Sequence, residues 1–134
     1  MVTLDRAGEE HIRDLLNETE LARDQLPYSD EFGRLKECFY DRALKKLTDS
    51  EFWEVVARVG KQGGVRGKKT KDNAPELSDE QKASLRKLLP MPLGQTDSLP
   101  YTDKMKSLVE RFNKTFGLSL GEREVWLAVL GLRK

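Results

Sequence analysis

The sequence is poor in the residues that most metal and redox sites use. Its 134 residues include one cysteine, Cys38, and one histidine, His11. A single cysteine excludes an internal disulfide, and one thiol with one distant imidazole cannot supply the ligand cluster that zinc or haem needs. No stretch approaches the roughly 20 apolar residues of a membrane span. We therefore expect a protein of a reducing compartment, by default the cytoplasm, with no cofactor or metal and no membrane partner.

Catalytic motifs are also missing. A thiol nucleophile needs a neighbouring base, but His11 and Cys38 fall in different predicted helices. The segment GKQGG at residues 60–64 lacks the spacing of a phosphate-binding loop. His11 is interpreted as a solvated helix residue and Cys38 as a partly exposed free thiol. The sequence predicts a protein that is not an enzyme.

What the sequence does contain is an internal repeat. Residues 4–61 align without a gap with residues 77–134, and 17 of the 58 aligned pairs are identical. About three or four identities are expected by chance from this composition. The predicted organisation is a repeat unit at residues 1–61, a flexible basic linker at residues 62–76 and a second repeat unit at residues 77–134.

Each unit has the pattern of three helices. Apolar residues recur at three- and four-residue steps in all of them. Capping residues mark the helix starts: Asp5 and Ser78, Ser29 and Thr102, and Thr48 with Glu51. Pro90 and Pro92 end the first helix of the second unit, and Gly117 ends its second helix. The second helix of the first unit is predicted to run one turn further.

Four aromatic residues recur at matching positions of the two units. They are Tyr28 and Tyr101 at the start of the second helix, and Trp53 and Trp126 in the third. We interpret them as core anchors because they follow the apolar pattern around them. Platforms on which nucleic-acid bases stack are the alternative.

The third helix is apolar around more of its circumference than one stripe requires, which predicts burial on more than one side. The fold class that follows is all-α: two tandem three-helix units, packed through their third helices as a single helical body with a pseudo-two-fold axis. Such a chain is a monomer with an intrachain pseudo-dimer, or a weak homodimer.

Charge differs between the two units. Residues 4–61 carry a net charge of −4, residues 62–76 carry +2 and residues 77–134 carry +3. Charged helices around a small core, without catalytic groups, favour a non-enzymatic interaction module that binds a protein partner. Attraction between an acidic and a basic unit is the alternative reading of the asymmetry.

Nucleic-acid binding is the second hypothesis. Five cations fall within eleven residues in and beside the linker, where they can neutralise phosphates: Lys61, Arg66, Lys68, Lys69 and Lys71. Tandem three-helix units resemble a Myb-type DNA-binding tandem in outline, which implies recognition by the third helix. The sequence departs from that pattern in having one tryptophan per unit and Glu51 and Glu54 in the third helix of the first unit.

A titration of the full chain with duplex DNA and RNA tests the linker hypothesis. Replacing Arg66, Lys68, Lys69 and Lys71 by alanine is expected to weaken binding at low salt, where phosphate-driven affinity is greatest. The control is the unchanged chain at moderate salt. If the unchanged chain fails to bind at low salt, the hypothesis is rejected.

Overall fold

The computed structural model describes residues 3–61 and 74–132, which are helical with no β-strand among them. These residues form two compact units, one on each side of the segment at residues 62–73. The first unit contains α1 (Arg6–Glu18), α2 (Asp30–Ala43) and α3 (Asp49–Lys61). The second contains α4 (Asp79–Leu88), α5 (Asp103–Phe116) and α6 (Glu122–Leu132). The predicted all-α class is confirmed.

Short 3₁₀ segments lead from the first helix of each unit to the second. They are Arg23–Gln25 in the first unit and Leu93–Ser98 in the second. Arg23 also fastens its segment to α3, because its Nη1 donates to the backbone oxygen of Ala57 at 3.2 Å. No helix in the described ranges is long and apolar enough to cross a membrane.

Side-chain caps begin the helices of the first unit as predicted. Asp5 caps α1 by accepting from the backbone nitrogen of Gly8 at 2.8 Å. Ser29 caps α2. Before α3, the backbone nitrogen of Thr48 donates to Glu51 Oε1 at 2.9 Å, and the backbone nitrogen of Glu51 donates to Thr48 Oγ1 at 3.2 Å. Such bonds satisfy backbone N–H groups that a helix start leaves without partners.

The second unit begins its helices in the same way. Ser78 and Gln81 form the predicted capping box at α4, with distances of 2.9 and 3.1 Å. Thr102 caps α5. At α6, where glycine replaces the capping threonine, the backbone nitrogen of Gly121 still donates to Glu124 Oε1 at 3.1 Å. Glu51 and Glu124 therefore have a structural role at equivalent positions.

The predicted extra turn of α2 was wrong. α2 and α5 both have 14 residues, and each is followed by a residue in the left-handed conformation: Leu44 at φ 54° and Gly117 at φ 63°. A left-handed residue turns the backbone out of the helix. Glycine adopts this conformation without strain, whereas for leucine it costs about 1 kcal/mol or more.

Each unit carries a second left-handed residue just before its second helix. Tyr28 has φ 64° and Tyr101 has φ 63°. Both tyrosines are half-buried, so their interpretation as core anchors was wrong. The leucine and proline that precede each tyrosine, by contrast, are buried.

The core of the first unit forms where α1 packs on α2 and α3. Phe52 of α3 stacks edge-on against Phe32 at 5.3 Å between ring centroids, and lies 5.8 Å from Phe39. Such pairs add to the stability that area burial provides. Trp53, the residue after Phe52, is also buried, which confirms it as a core residue.

In the second unit α4, α5 and α6 pack on one another. Phe112 and Phe116 make the aromatic contact there, at 5.3 Å. Most of α6 is buried: Val125, Trp126, Leu127, Ala128, Val129, Leu130 and Leu132. The predicted core role of Trp126 is confirmed.

Candidate interaction surface

Of the five cations proposed for nucleic-acid binding, the structure describes one. Lys61 is the last residue of α3 and is exposed. Arg66, Lys68, Lys69 and Lys71 lie outside the described residues. Binding of nucleic acid by the linker therefore stays a prediction.

A concave surface of the first unit runs along α2 to the start of α3. We call it the α2–α3 groove; it has a volume of about 560 Å³. Its lining residues are Gly33, Lys36, Glu37, Tyr40, Asp41, Lys46, Leu47 and Asp49. The positions from α2 recur at three- and four-residue steps, so they form one face of the helix.

Two large apolar side chains in the segment that lines this groove, residues 33–49, are exposed. Tyr40, 49% exposed, lines it, and Leu44, 81% exposed, follows one turn later. Among the described residues these are the large hydrophobic side chains that are exposed. Single exposed apolar residues are common, but Tyr40 lines a concavity, and Leu44 lies in sequence between two of its lining residues, Asp41 and Lys46.

Two residues at the groove depart from local helix preferences. Gly33 lies inside α2, where glycine costs about 1 kcal/mol relative to alanine. A Cβ atom at Gly33 would meet nothing within 4 Å, so no close contact requires a glycine there. Leu44 has the strained left-handed conformation described above. Local rules that are broken without a packing reason are typical of functional sites.

The second unit makes a different contact at the corresponding position. Asn113, which aligns with Tyr40, accepts at Oδ1 from the backbone nitrogen of Leu120 at 3.0 Å and donates from Nδ2 to its backbone oxygen at 2.9 Å. These two bonds brace the connection between α5 and α6. In the first unit an exposed tyrosine occupies this position and lines the α2–α3 groove.

Charge around the groove is only partly neutralised. Lys36 Nζ contacts Asp49 Oδ1 at 2.9 Å, joining α2 to the start of α3. Glu37, Asp41 and Lys46 form no ion pair within residues 3–61 and 74–132. Two acids thus flank Tyr40 on α2 without a neutralising partner, in a unit whose net charge is −4.

A polar network lies between the end of α1 and the start of α2. The hydroxyl of Thr19, which is buried, donates to Glu31 Oε2, and Arg34 donates to both carboxylate oxygens of Glu31, at 2.5 and 2.8 Å. The hydrogen bond from Arg34 is the main reason that the pKa of Glu31 lies below its ordinary value of 4.5. This carboxylate stays ionised and neutralised, which suits a structural role.

His11 lines a second groove, of about 490 Å³, between α1 and the end of α2. The side chain is half-buried rather than solvated, which corrects the sequence interpretation. The cations that share this groove already have partners. Arg42 contacts Glu18 at 3.0 Å, and Lys45 donates to the backbone oxygen of Thr3 at 3.4 Å.

Cys38 is partly exposed, as the sequence predicts. The polar side chain near its sulfur is that of Arg34, whose Nη1 lies 3.9 Å away. A guanidinium cannot accept a proton, so it cannot act as the base of a thiol nucleophile. The described ranges also contain no group of three or more histidine, cysteine or acidic residues able to hold a metal ion.

Comparisons of the chain with protein-family models, with curated proteins and with solved structures found no match. The geometry of the two units and the differences between them are therefore the basis for inferring function.

Removing the Asn113 side chain tests whether this residue braces the connection between α5 and α6 as Tyr40 does not between α2 and α3. Asn113→Ala is expected to lower the free energy of unfolding by about 2 kcal/mol, because two hydrogen bonds to the backbone of Leu120 are lost. Urea denaturation of the full chain, followed by circular dichroism, measures the change. Tyr40→Ala is the matched control and should cost clearly less; an equal loss for both variants would contradict the assigned bracing role.

Proposed function

We propose that this protein is a non-enzymatic interaction module whose α2–α3 groove binds a segment of a protein partner. The observation that carries the proposal is Leu44, an exposed leucine in a strained conformation next to the groove, at the position where the second unit has Gly117. Retaining an apolar side chain where glycine is more stable indicates a use for that side chain other than folding.

The chemistry of the groove favours a basic, amphipathic segment. Tyr40 and Leu44 offer apolar contact, and aromatic residues are common anchors of binding surfaces. Glu37 and Asp41 supply negative charge on either side of Tyr40. A partner helix that presents one large apolar side chain between lysines or arginines complements this arrangement.

A library of displayed 16-residue peptides, selected on the full chain, tests the proposal. The enriched peptides are expected to combine lysine or arginine with a large apolar residue. Calorimetry then compares their affinity for the unchanged protein and for two variants that take residues from the second unit. Leu44→Gly removes the apolar contact and relieves the strain, and Gly33→Lys places a bulky cation in the groove.

Both variants should weaken binding tenfold or more, since burial of one leucine side chain is worth about 1.5–3 kcal/mol. Gly94→Lys is the control, because Gly94 is another exposed glycine with nothing within 4 Å of an added Cβ, but in the second unit. Selected peptides that bind the Leu44 and Gly33 variants as tightly as the unchanged protein would refute the proposal, as would a selection without enrichment.

We also propose that the chain arose by tandem duplication, with the two units packed through α3 and α6 about a pseudo-two-fold axis. In support, α4, α5 and α6 each begin 73 residues after α1, α2 and α3, the same offset that aligns the sequences. The left-handed residues follow the same offset. The apolar circumference of the third helices favours the packing.

Residues 1–61 prepared alone test this packing. A unit that has lost its partner surface is expected to dimerise or to unfold, because apolar side chains of α3 become exposed to water. Analytical ultracentrifugation and thermal denaturation report the two outcomes. A stable, cooperatively folded monomer of residues 1–61 would contradict the packing and leave the groove proposal unaffected.

A further inference from the structure

Several basic residues of the second unit form no ion pair among the described residues, whereas basic residues of the first unit do. Seven exposed lysines and arginines on α4 and α5 form no ion pair within the described ranges: Lys82, Arg86, Lys87, Lys104, Lys106, Arg111 and Lys114. The first unit, in contrast, pairs Arg13, Arg34, Lys36 and Arg42 with acids.

Two of these cations line a groove between the end of α4 and α5. This α4–α5 groove has a volume of about 290 Å³, and its lining residues are Leu88, Pro90, Asp103, Lys104, Ser107, Leu108 and Arg111. Lys104 and Arg111 are seven residues apart, which is two turns or about 10 Å along the helix. The hydroxyl of Ser107 stands between them, so the face presents a cation, a hydrogen-bond donor and a second cation in line.

The aligned positions of the first unit carry a neutralised ion pair and a thiol. Glu31, Arg34 and Cys38 align with Lys104, Ser107 and Arg111, and there Glu31 is held by Arg34 and Thr19. The second unit thus replaces a neutralised carboxylate and a thiol by two cations without ion partners. The acid that remains in the lining is Asp103, in the first turn of α5, where the helix dipole favours a negative charge.

We propose that the α4–α5 groove binds the phosphate backbone of duplex nucleic acid through Lys104, Ser107 and Arg111. When exposed lysines and arginines neutralise phosphates, the counterions of the phosphates are released, and this release favours binding. This site shares no residue with the α2–α3 groove or with the five cations of the linker hypothesis, so it goes beyond the protein-binding function proposed above.

The composition of the surface indicates contact with the backbone rather than with bases. In the described part of the second unit there is no exposed large aromatic side chain on which an unpaired base can stack. Phosphate contacts set position and orientation but carry no direct sequence information. We therefore expect binding that is salt-dependent and indifferent to sequence.

Fluorescence anisotropy with the full chain tests the inference. The probes are two labelled 20-base-pair DNA duplexes of unrelated sequence, titrated over a range of salt concentrations. Lys104→Ala/Arg111→Ala is expected to weaken binding tenfold or more at low salt. The magnitude of the negative slope of log affinity against log salt should decrease by about 2, because about one unit is lost for each phosphate contact. Lys82→Ala/Lys106→Ala is the charge-matched control, because neither residue lines the groove.

The proposal stands if the groove variant loses affinity for both duplexes and the control variant loses clearly less. It is overturned if both variants lose affinity equally, since the effect then follows net charge. It is also overturned if poly-glutamate of matched charge competes as well as unlabelled duplex, because the groove then selects acidic polypeptides. A failure here leaves the peptide selection unaffected, since Leu44 and Gly33 are not altered.

Discussion

Burial of the third helix is the interaction on which each unit depends. A unit of about 60 residues has little apolar surface to bury, so its core must be concentrated on a few large side chains. In the first unit Phe52 supplies this core by contacting Phe32 and Phe39 of α2. In the second unit nearly every residue of α6 from Val125 onward is buried. Caps and turns set where the helices of each unit begin and end, so that their apolar faces meet in this core.

The same constraint leaves the outer face of the second helix free to differ between units. α2 and α5 each bury one stripe, and the remaining positions carry no core side chains. In the first unit this outer face has exposed apolar side chains near its end and a groove whose lining carries three acids and two lysines. In the second it has cations without ion partners, while Asn113 braces the loop. A common core with two different outer surfaces suits a module that contacts two different partners, a protein segment and a polyanion.

Much of the fold followed from local sequence signals. Asp5, Ser29, Ser78 and Thr102 mark helix starts because a capping side chain bonds to a backbone nitrogen a few residues away, and such bonds depend on neighbouring residues only. The end of α2 was not predictable in this way. Leucine rarely adopts a left-handed conformation, so nothing in the residue type indicated that Leu44 ends the helix; the alignment with Gly117 was the available signal. The prediction that His11 is solvated was wrong for a similar reason, because its half-burial depends on how α1 lies against α2.

The sequence by itself determined the helical class, the helix starts and the position of both tryptophans in the core, because these depend on composition, spacing and short-range bonds. The tertiary structure decided which charges are neutralised and which surfaces are concave. Glu31 and Arg34 are close in sequence, but Thr19 reaches Glu31 only through the packing of α1 against α2. Both grooves combine side chains from separate segments, and distances between segments are set by the core rather than by any local pattern.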